Sequence, residues 1–186
     1  ESCNNYKGET TQITNTSNER GDMTTDTLGI KKIVKKYVQP GKEMLDEPGT
    51  LRAWAVGVSD SEMTAKKKAM VSATSQLAQM LNSVVTSTVE DYCAELSDET
   101  KSVYKEFFSQ KCTVVSEQML AGIRPIFEKC EPADAEGKYK NYVVLEIPRE
   151  EYMTKLFDAL GQSKEANKID KQILGDIFLK KINAQK

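Results

Sequence analysis

The sequence predicts an α+β domain in which a small three-stranded antiparallel or mixed sheet is packed by a long alanine-rich helix and several further helices. Three observations support this fold class. A short apolar segment with strand character runs directly into a long helical pattern. Two later segments alternate with period two around a polar turn. Two more helical patterns then close the chain.

The first predicted strand covers residues 51–59, with the sequence LRAWAVGVS. Both alternating sets are apolar or small: Ala53, Ala55 and Gly57 fall on one side, with Trp54 and two valines on the other. Strands that are buried on both faces have such continuous apolar sequences. We therefore expect an interior strand with both faces covered.

A long helix is predicted directly after this strand. Ser59 and Glu62 have the spacing of a capping box, in which the two side chains accept hydrogen bonds from free amides of the first helical turn. Apolar and small residues then recur every three or four positions, which indicates one buried helical face. The residues of this stripe are Ala65, Ala69, Ala73, Leu77, Leu81, Val84 and Thr88.

A second helix is predicted from Ser97 to about Ser116, followed by a β-hairpin. The hairpin strands are expected at 118–131 and 138–147, around a polar turn at 134–137. Pro125 cannot donate to a strand ladder, so its strand belongs at an edge or carries a bulge there. The third strand is then the central one.

Two helices are expected at the end of the chain. Pro148 suits the first turn of a helix over Arg149 to Leu160, which Gly161 terminates. The last helix is expected to bury one amphipathic face. That face carries Ile169, Ile173, Ile177 and Phe178.

The N-terminal part differs in composition from the rest. Residues 1–26 are polar with few apolar side chains, which predicts a flexible tether, and residues 27–186 are expected to form a single α+β domain. A short amphipathic helix is predicted from Thr27 to just before Pro40. Its basic face is either an ordinary solvated surface, which we favour, or a contact with anionic lipid. That face consists of Lys31, Lys32, Lys35 and Lys36.

Composition argues against most enzyme classes and against nucleic-acid binding. The chain has no histidine, which removes histidine-dependent nucleophiles and most zinc sites, and the net charge of -2 gives no basic surface for nucleic acid. No glycine-rich phosphate loop is present. Paired carboxylates fall at predicted helix ends and turns, where capping and solvation explain them. We expect no enzyme activity, no cofactor, no metal, and no catalytic residue.

Four cysteines lack the paired spacing of zinc-binding or redox motifs. Cys93, Cys112 and Cys130 are interpreted as small buried hydrophobic residues, with their disulfide pairing left open. Cys3 is the lipidation candidate. It lies near the start of a chain that begins without Met, which suggests a removed leader, and a polar tether follows it. Ser2 suits lipoprotein processing, whereas Glu1 does not.

The segment from strand to helix resembles the LPP-twenty family of bacterial envelope lipoproteins. In that family, a strand that ends in a glycine-containing turn precedes a helix with repeated Ala-x-x-x-Ala and a Leu-Ala pair. The later hairpin and helix are also similar, so the likeness covers about Leu51 to Leu160. The matching positions are Gly57, Ala65, Ala69, Ala73, Leu77 and Ala78.

The resemblance implies a surface or periplasmic lipoprotein, in a family without an established enzymatic activity. We therefore expect a non-enzymatic cell-envelope domain, periplasmic or associated with the outer membrane, that acts through contacts with envelope proteins or with itself. Cys3 would supply a membrane anchor. The alternative is a periplasmic module that binds a small molecule or glycan between the Trp54 face of the sheet and a helix.

Overall fold

The structure of the protein is a computed structural model. The chain divides into two units between Gln39 and Pro40, and each is described by itself. Side chains are described from residue 38 onward, apart from 98 and 99. The described residues are 21–25, 31–35, 38–94, 96 and 98–185.

The first unit contains a two-stranded antiparallel ribbon. Strand β1 is Gly21–Thr25 and strand β2 is Lys31–Lys35, with Met23 opposite Ile33. The helix expected from Thr27 is therefore wrong over β2, and so is the helical lysine face that depended on it. Neighbouring β-branched residues favour strand once a partner supplies backbone hydrogen bonds, and local periodicity does not reveal that partner.

The tether expected at residues 1–26 is corrected in part. Residues 21–25 form β1, while residues 1–20, including Cys3, lie outside the described residues. The division between the two units falls after Gln39, thirteen residues later than the boundary expected after residue 26.

The second unit has the predicted α+β fold, with three strands and four helices in the described residues. A 3-10 turn at Lys42–Met44 precedes the sheet, and another at Ala166–Lys168 precedes the last helix. The elements in chain order are β3 Thr50–Ser59, α1 Glu62–Ala94, α2 Asp98–Ala121, β4 Pro125–Glu131, β5 Tyr139–Pro148, α3 Arg149–Leu160 and α4 Lys171–Asn183.

The sheet is antiparallel with strand order β3-β5-β4. The central position of the third strand is confirmed, and so is the edge position of Pro125, where the register shifts between Pro125 and Phe127. The interior position expected for β3 is wrong, because β3 lies at the other edge of the sheet that the described strands form. Its apolar pattern reflects burial of one face, and burial of a face does not determine how many neighbours a strand has.

Helix α1 covers one face of the sheet. Every residue of the predicted stripe is buried, from Ala65 to Thr88. The helix begins at Glu62, two residues later than a capping box at Ser59 would require, and Ser61 provides the carbonyl that accepts from Ala65 N at 2.9 Å. On β3, Gly57 faces the first turns of this helix.

One element boundary and one buried helix face differ from the predicted ones. Helix α2 continues to Ala121, so residues 118–121 are helical rather than part of a strand. On the face expected to be buried by the last helix, Ile169 and Phe178 are buried as predicted, whereas Ile173 is 50% exposed and Leu174 is buried in addition. Isoleucines and leucines alternate around this helix, so periodicity alone does not select the face. Helix α3 and its end at Gly161 are as predicted.

Candidate functional site

The thiols of the described residues show no nucleophilic or redox arrangement. Cys93 and Cys112 are buried, Cys130 is partly buried, and all three are free. Burial raises the pKa of Cys112 to about 11 and also raises the pKa of Cys93 and Cys130. The thiolate is the reactive form, so these groups are poor nucleophiles at neutral pH. Cys3, the lipidation candidate, lies outside the described residues.

The described acidic groups form no cluster that could hold a metal ion. Within the described residues, no three Asp, Glu, Cys or His side chains are placed to hold a metal ion. Asp134 serves the β4–β5 turn: its Oδ1 accepts from Glu136 N at 3.0 Å and from Lys138 N at 2.9 Å. These backbone bonds hold the pKa of Asp134 below its usual value. Its function is to shape the turn.

Trp54 lies on the sheet face opposite α1. Its indole Nε1 donates to Pro40 O at 2.8 Å, and the ammonium of Lys42 lies 4.5 Å from the ring centroid. The Tyr142 ring lies beside it, with centroids 6.2 Å apart. The expected ligand space between the Trp54 face and a helix is therefore wrong, because α1 covers the other face and the segment around Pro40 occupies this one.

Three hollows among the described residues are small. Volumes are about 180 Å³ between α3 and α4, 230 Å³ beside the start of β3, and 170 Å³ between α1 and α2. Binding pockets for small molecules begin at roughly 300 Å³. These hollows suit single side chains of another protein better than a complete ligand.

The free side of β3 is the most distinctive surface of the second unit. The strand has ten residues and pairs with β5 on one side. On its other side, no strand pairs with it within the described residues. An exposed strand edge offers a row of backbone donors and acceptors to another chain.

The register shows which residues present these groups. Arg149 N donates to Gly49 O at 3.0 Å, so Gly49 and Arg149 form a hydrogen-bonded pair. Such pairs alternate along an antiparallel ladder. The odd-numbered residues of β3 therefore bond to β5. The N–H and C=O groups of the even-numbered residues point to the free side; these residues are Thr50, Arg52, Trp54, Val56 and Val58.

One of these groups is already occupied. The Val58 carbonyl accepts from Lys68 Nζ at 3.1 Å, and the Val58 side chain is 41% exposed. For Arg52, Trp54 and Val56, the outward backbone groups meet no hydrogen-bond partner among residues 38–94 and 98–185. The edge is therefore open over its central part.

Between Arg52 and Val56, the edge also lacks the usual features that block strand addition. Such features are a proline, a bulge, or a charged side chain placed to repel another strand. The one charge in the middle of β3 is Arg52, and the fold uses it internally. Its Nε and Nη2 each lie 2.6 Å from Glu146 Oε2, and Nη1 donates to Met44 O. The 230 Å³ hollow, lined partly by Leu45 and Met80, opens beside the same strand.

Sequence reasoning missed this edge because it placed β3 inside the sheet. The available signal was weak. Strands that follow one another in a hairpin usually pair with each other, so β3 could join the predicted three-stranded sheet only beside one of the two hairpin strands. Within the described residues, no helix combines the length and the apolar character needed to cross a membrane. Comparisons with protein-family models, curated proteins and solved structures found no match to this chain.

Proposed function

We propose that this chain is a non-enzymatic domain of the bacterial cell envelope that acts by binding protein, and that the free edge of β3 is the contact surface. The observation that carries the proposal is the open edge itself, with the backbone groups of Arg52, Trp54 and Val56 turned outward. Strand addition to such an edge is a recurrent way of binding an extended segment.

The described part of the chain further supports binding. There the buried Cys112 thiol has a raised pKa, no three metal-ligating side chains come together, and three hollows each have a volume that suits a single side chain. The envelope location is supported by the resemblance to the LPP-twenty family, in which Cys3 would carry the lipid anchor. The mass of the mature N-terminal peptide from fractionated cells tests that location, because a lipid adduct on Cys3 is expected there and an unmodified cytosolic chain would overturn it.

Site-directed cross-linking tests the contact. A photoreactive amino acid replaces Val58, which is exposed at the edge, and separately Val103, which is 57% exposed on α2. We expect protein adducts in intact cells from position 58 in excess of those from position 103, with the cross-linked peptide mapping to an extended segment of the bound protein.

A second change shows whether the adducts depend on the edge. Proline at position 56 removes an N–H that points away from β5, so the ladder within the sheet is kept. Val56→Pro should therefore abolish the adducts from position 58 while the protein stays folded. Val56→Lys, which adds a charge at the edge, is the substitute if the proline variant fails to fold. Equal adducts from positions 58 and 103 would overturn the proposed contact.

A further inference from the structure

We infer that the segment that binds the edge of β3 is β3 of a second copy of this chain, antiparallel to the first and related to it by a two-fold axis near Ala55. This inference rests on the proposed function and names its partner. The product is a continuous six-stranded sheet with the strand order β4-β5-β3-β3-β5-β4. Two-fold dimers are the commonest closed assemblies, and they use the same surface on both copies.

The backbone of β3 is complementary to itself in this arrangement. Outward-facing residues must meet outward-facing residues across a new antiparallel ladder. With the axis at Ala55, Arg52 lies opposite Val58 of the second copy. Trp54 likewise lies opposite Val56 of the second copy. All the outward-facing residues of the central edge then find partners, provided that Lys68 releases the Val58 carbonyl.

The side chains fit the same register. Trp54 and Val56 both lie on the sheet face opposite α1, so the register makes two cross-strand pairs of an aromatic with a β-branched residue. Such pairs stabilise antiparallel sheets. On the α1 side, the central part of the strand carries the small residues Ala53, Ala55 and Gly57.

Charge favours the antiparallel orientation. Asp46 and Glu47 precede β3 and lie beside Arg52, because Asp46 lines the same hollow as Arg52 and Glu47 Oε2 is 3.9 Å from Arg52 Nη1. At the other end, the ammonium of Lys68 sits on the Val58 carbonyl, while the Asp60 carboxylate is paired with Lys138. Antiparallel pairing brings Asp46 and Glu47 of each copy toward Lys68 of the other. Parallel pairing would bring the acidic pair of one copy to that of the other, and charge complementarity of this kind sets orientation.

Asp46 and Lys68 provide a sharp test, because they are far apart within one copy. Arg52 and Val58 are six residues apart along the strand, about 20 Å. That distance exceeds the screening length of about 8 Å at physiological salt. Energetic coupling between positions 46 and 68 can therefore arise only between copies.

The experiment is sedimentation of the purified chain, carrying Cys3→Ser, over a range of concentrations at physiological salt. We expect a concentration-dependent dimer that Val56→Pro converts to monomer. Lys68→Glu should weaken the dimer at least tenfold relative to Lys68→Ala, because both variants free the Val58 carbonyl and only the first places a like charge near Asp46 of the second copy. The double variant Lys68→Glu with Asp46→Lys should restore most of the dimer. Lys155→Glu is the charge-matched control, because Lys155 pairs with Glu151 on α3, and it should leave dimerisation unchanged.

Amide hydrogen exchange gives an independent measure on the unmodified protein. The amides of Ala53 and Ala55 bond to β5 and should be protected at every concentration. Those of Trp54 and Val56 point outward, so they should exchange fast in dilute protein and slowly in concentrated protein. Alternating protection that does not change with concentration would contradict pairing through this edge.

The outcomes separate this inference from the proposed function. A dimer that is insensitive to Val56→Pro and to the charge reversal overturns pairing through β3. A strict monomer that still gives adducts with another protein from position 58 overturns self-pairing and leaves the proposed function standing. A strict monomer without such adducts overturns both.

Discussion

Gly57 is the residue on which the contact between sheet and helix depends. A Cβ atom at this position would lie 1.9 Å from the Ala65 carbonyl oxygen and 2.6 Å from Ala69 N. Both are backbone atoms of α1, which cannot move aside as a flexible side chain could. The glycine therefore allows the helix to approach β3 more closely than any other residue would permit.

We predict that Gly57→Ala lowers the free energy of unfolding by about 3 kcal/mol or more, at the upper end of overpacking costs, because the methyl group must displace the helix backbone. Gly122→Ala is the matched control, since its new Cβ would have its nearest contact at an ordinary 3.7 Å. Urea unfolding followed by circular dichroism measures both. If Gly57→Ala loses no more free energy of unfolding than the control, α1 does not contact β3 as closely as described.

Asp134 gives the β4–β5 turn a pH dependence. Its folded-state pKa is lowered because the carboxylate accepts from the backbone amides of Lys138 and Glu136. A lowered pKa means that the stabilisation is complete above the unfolded-state value, near 4, and is lost as pH falls through the folded-state value. At low pH the residue resembles a neutral amide.

We therefore expect Asp134→Asn to be less stable than the unmodified protein at neutral pH, with the difference shrinking as the pH falls below about 4. Thermal unfolding over a pH series measures this. Glu136→Gln, which changes a carboxylate in the same turn, is the control and should show a smaller dependence. A difference that grows with acidity would reverse the assigned sign.

At the scale of elements, the first half of α1 is a packing surface made almost without side chains. Ala65, Ala69 and Ala73 are each fully buried against the sheet, and the larger Leu77 and Leu81 follow where the helix extends toward the other helices. The stripe therefore has small side chains at its start and large ones later. This order fits a space between α1 and the core that widens along the helix.

Replacing Ala69 or Ala73 with Leu should overpack this interface and cost about 1 to 3 kcal/mol, with a correspondingly lower melting temperature. Val71→Leu is the control within the same helix, because Val71 is 70% exposed and faces solvent. An unchanged melting temperature in all three variants would mean that the alanine face is not tightly packed.

At the scale of the whole molecule, the second unit contains its own core. The buried apolar side chains of the described residues run from Leu51 to Ile182, and they come from the sheet and from every helix around it. The division between Gln39 and Pro40 falls before the first of them. A core that lies entirely within one unit is the property of a domain able to fold alone.

We predict that a fragment comprising residues 38–186 unfolds in a single cooperative transition at a melting temperature close to that of the full chain. Trp54 is the one tryptophan of the chain and reports on the packing around Pro40. Its emission spectrum should be unchanged in the fragment. Loss of the cooperative transition would show that residues before 38 belong to the same folding unit.

The sequence alone determined the elements whose patterns are local. The α+β class, the stripe from Ala65 to Thr88, the β4–β5 hairpin and the helix ending at Gly161 all follow from periodicity, turn residues and helix-ending residues, because these act over a few neighbouring positions. The family resemblance, the lipid anchor at Cys3 and the envelope location remain predictions, since no described residue and no comparison bears on them.

Only the tertiary structure decided which strand lies at the edge and what that edge presents. β2 forms a strand because it pairs with β1. β5 pairs with β3 on one side and with β4 on the other, so β3 lies at an edge of this sheet. Pairing of this kind depends on residues far apart in the chain, and the apolar pattern of a strand is the same at an edge as in the interior. The candidate site is such an edge, which explains why the sequence did not reveal it.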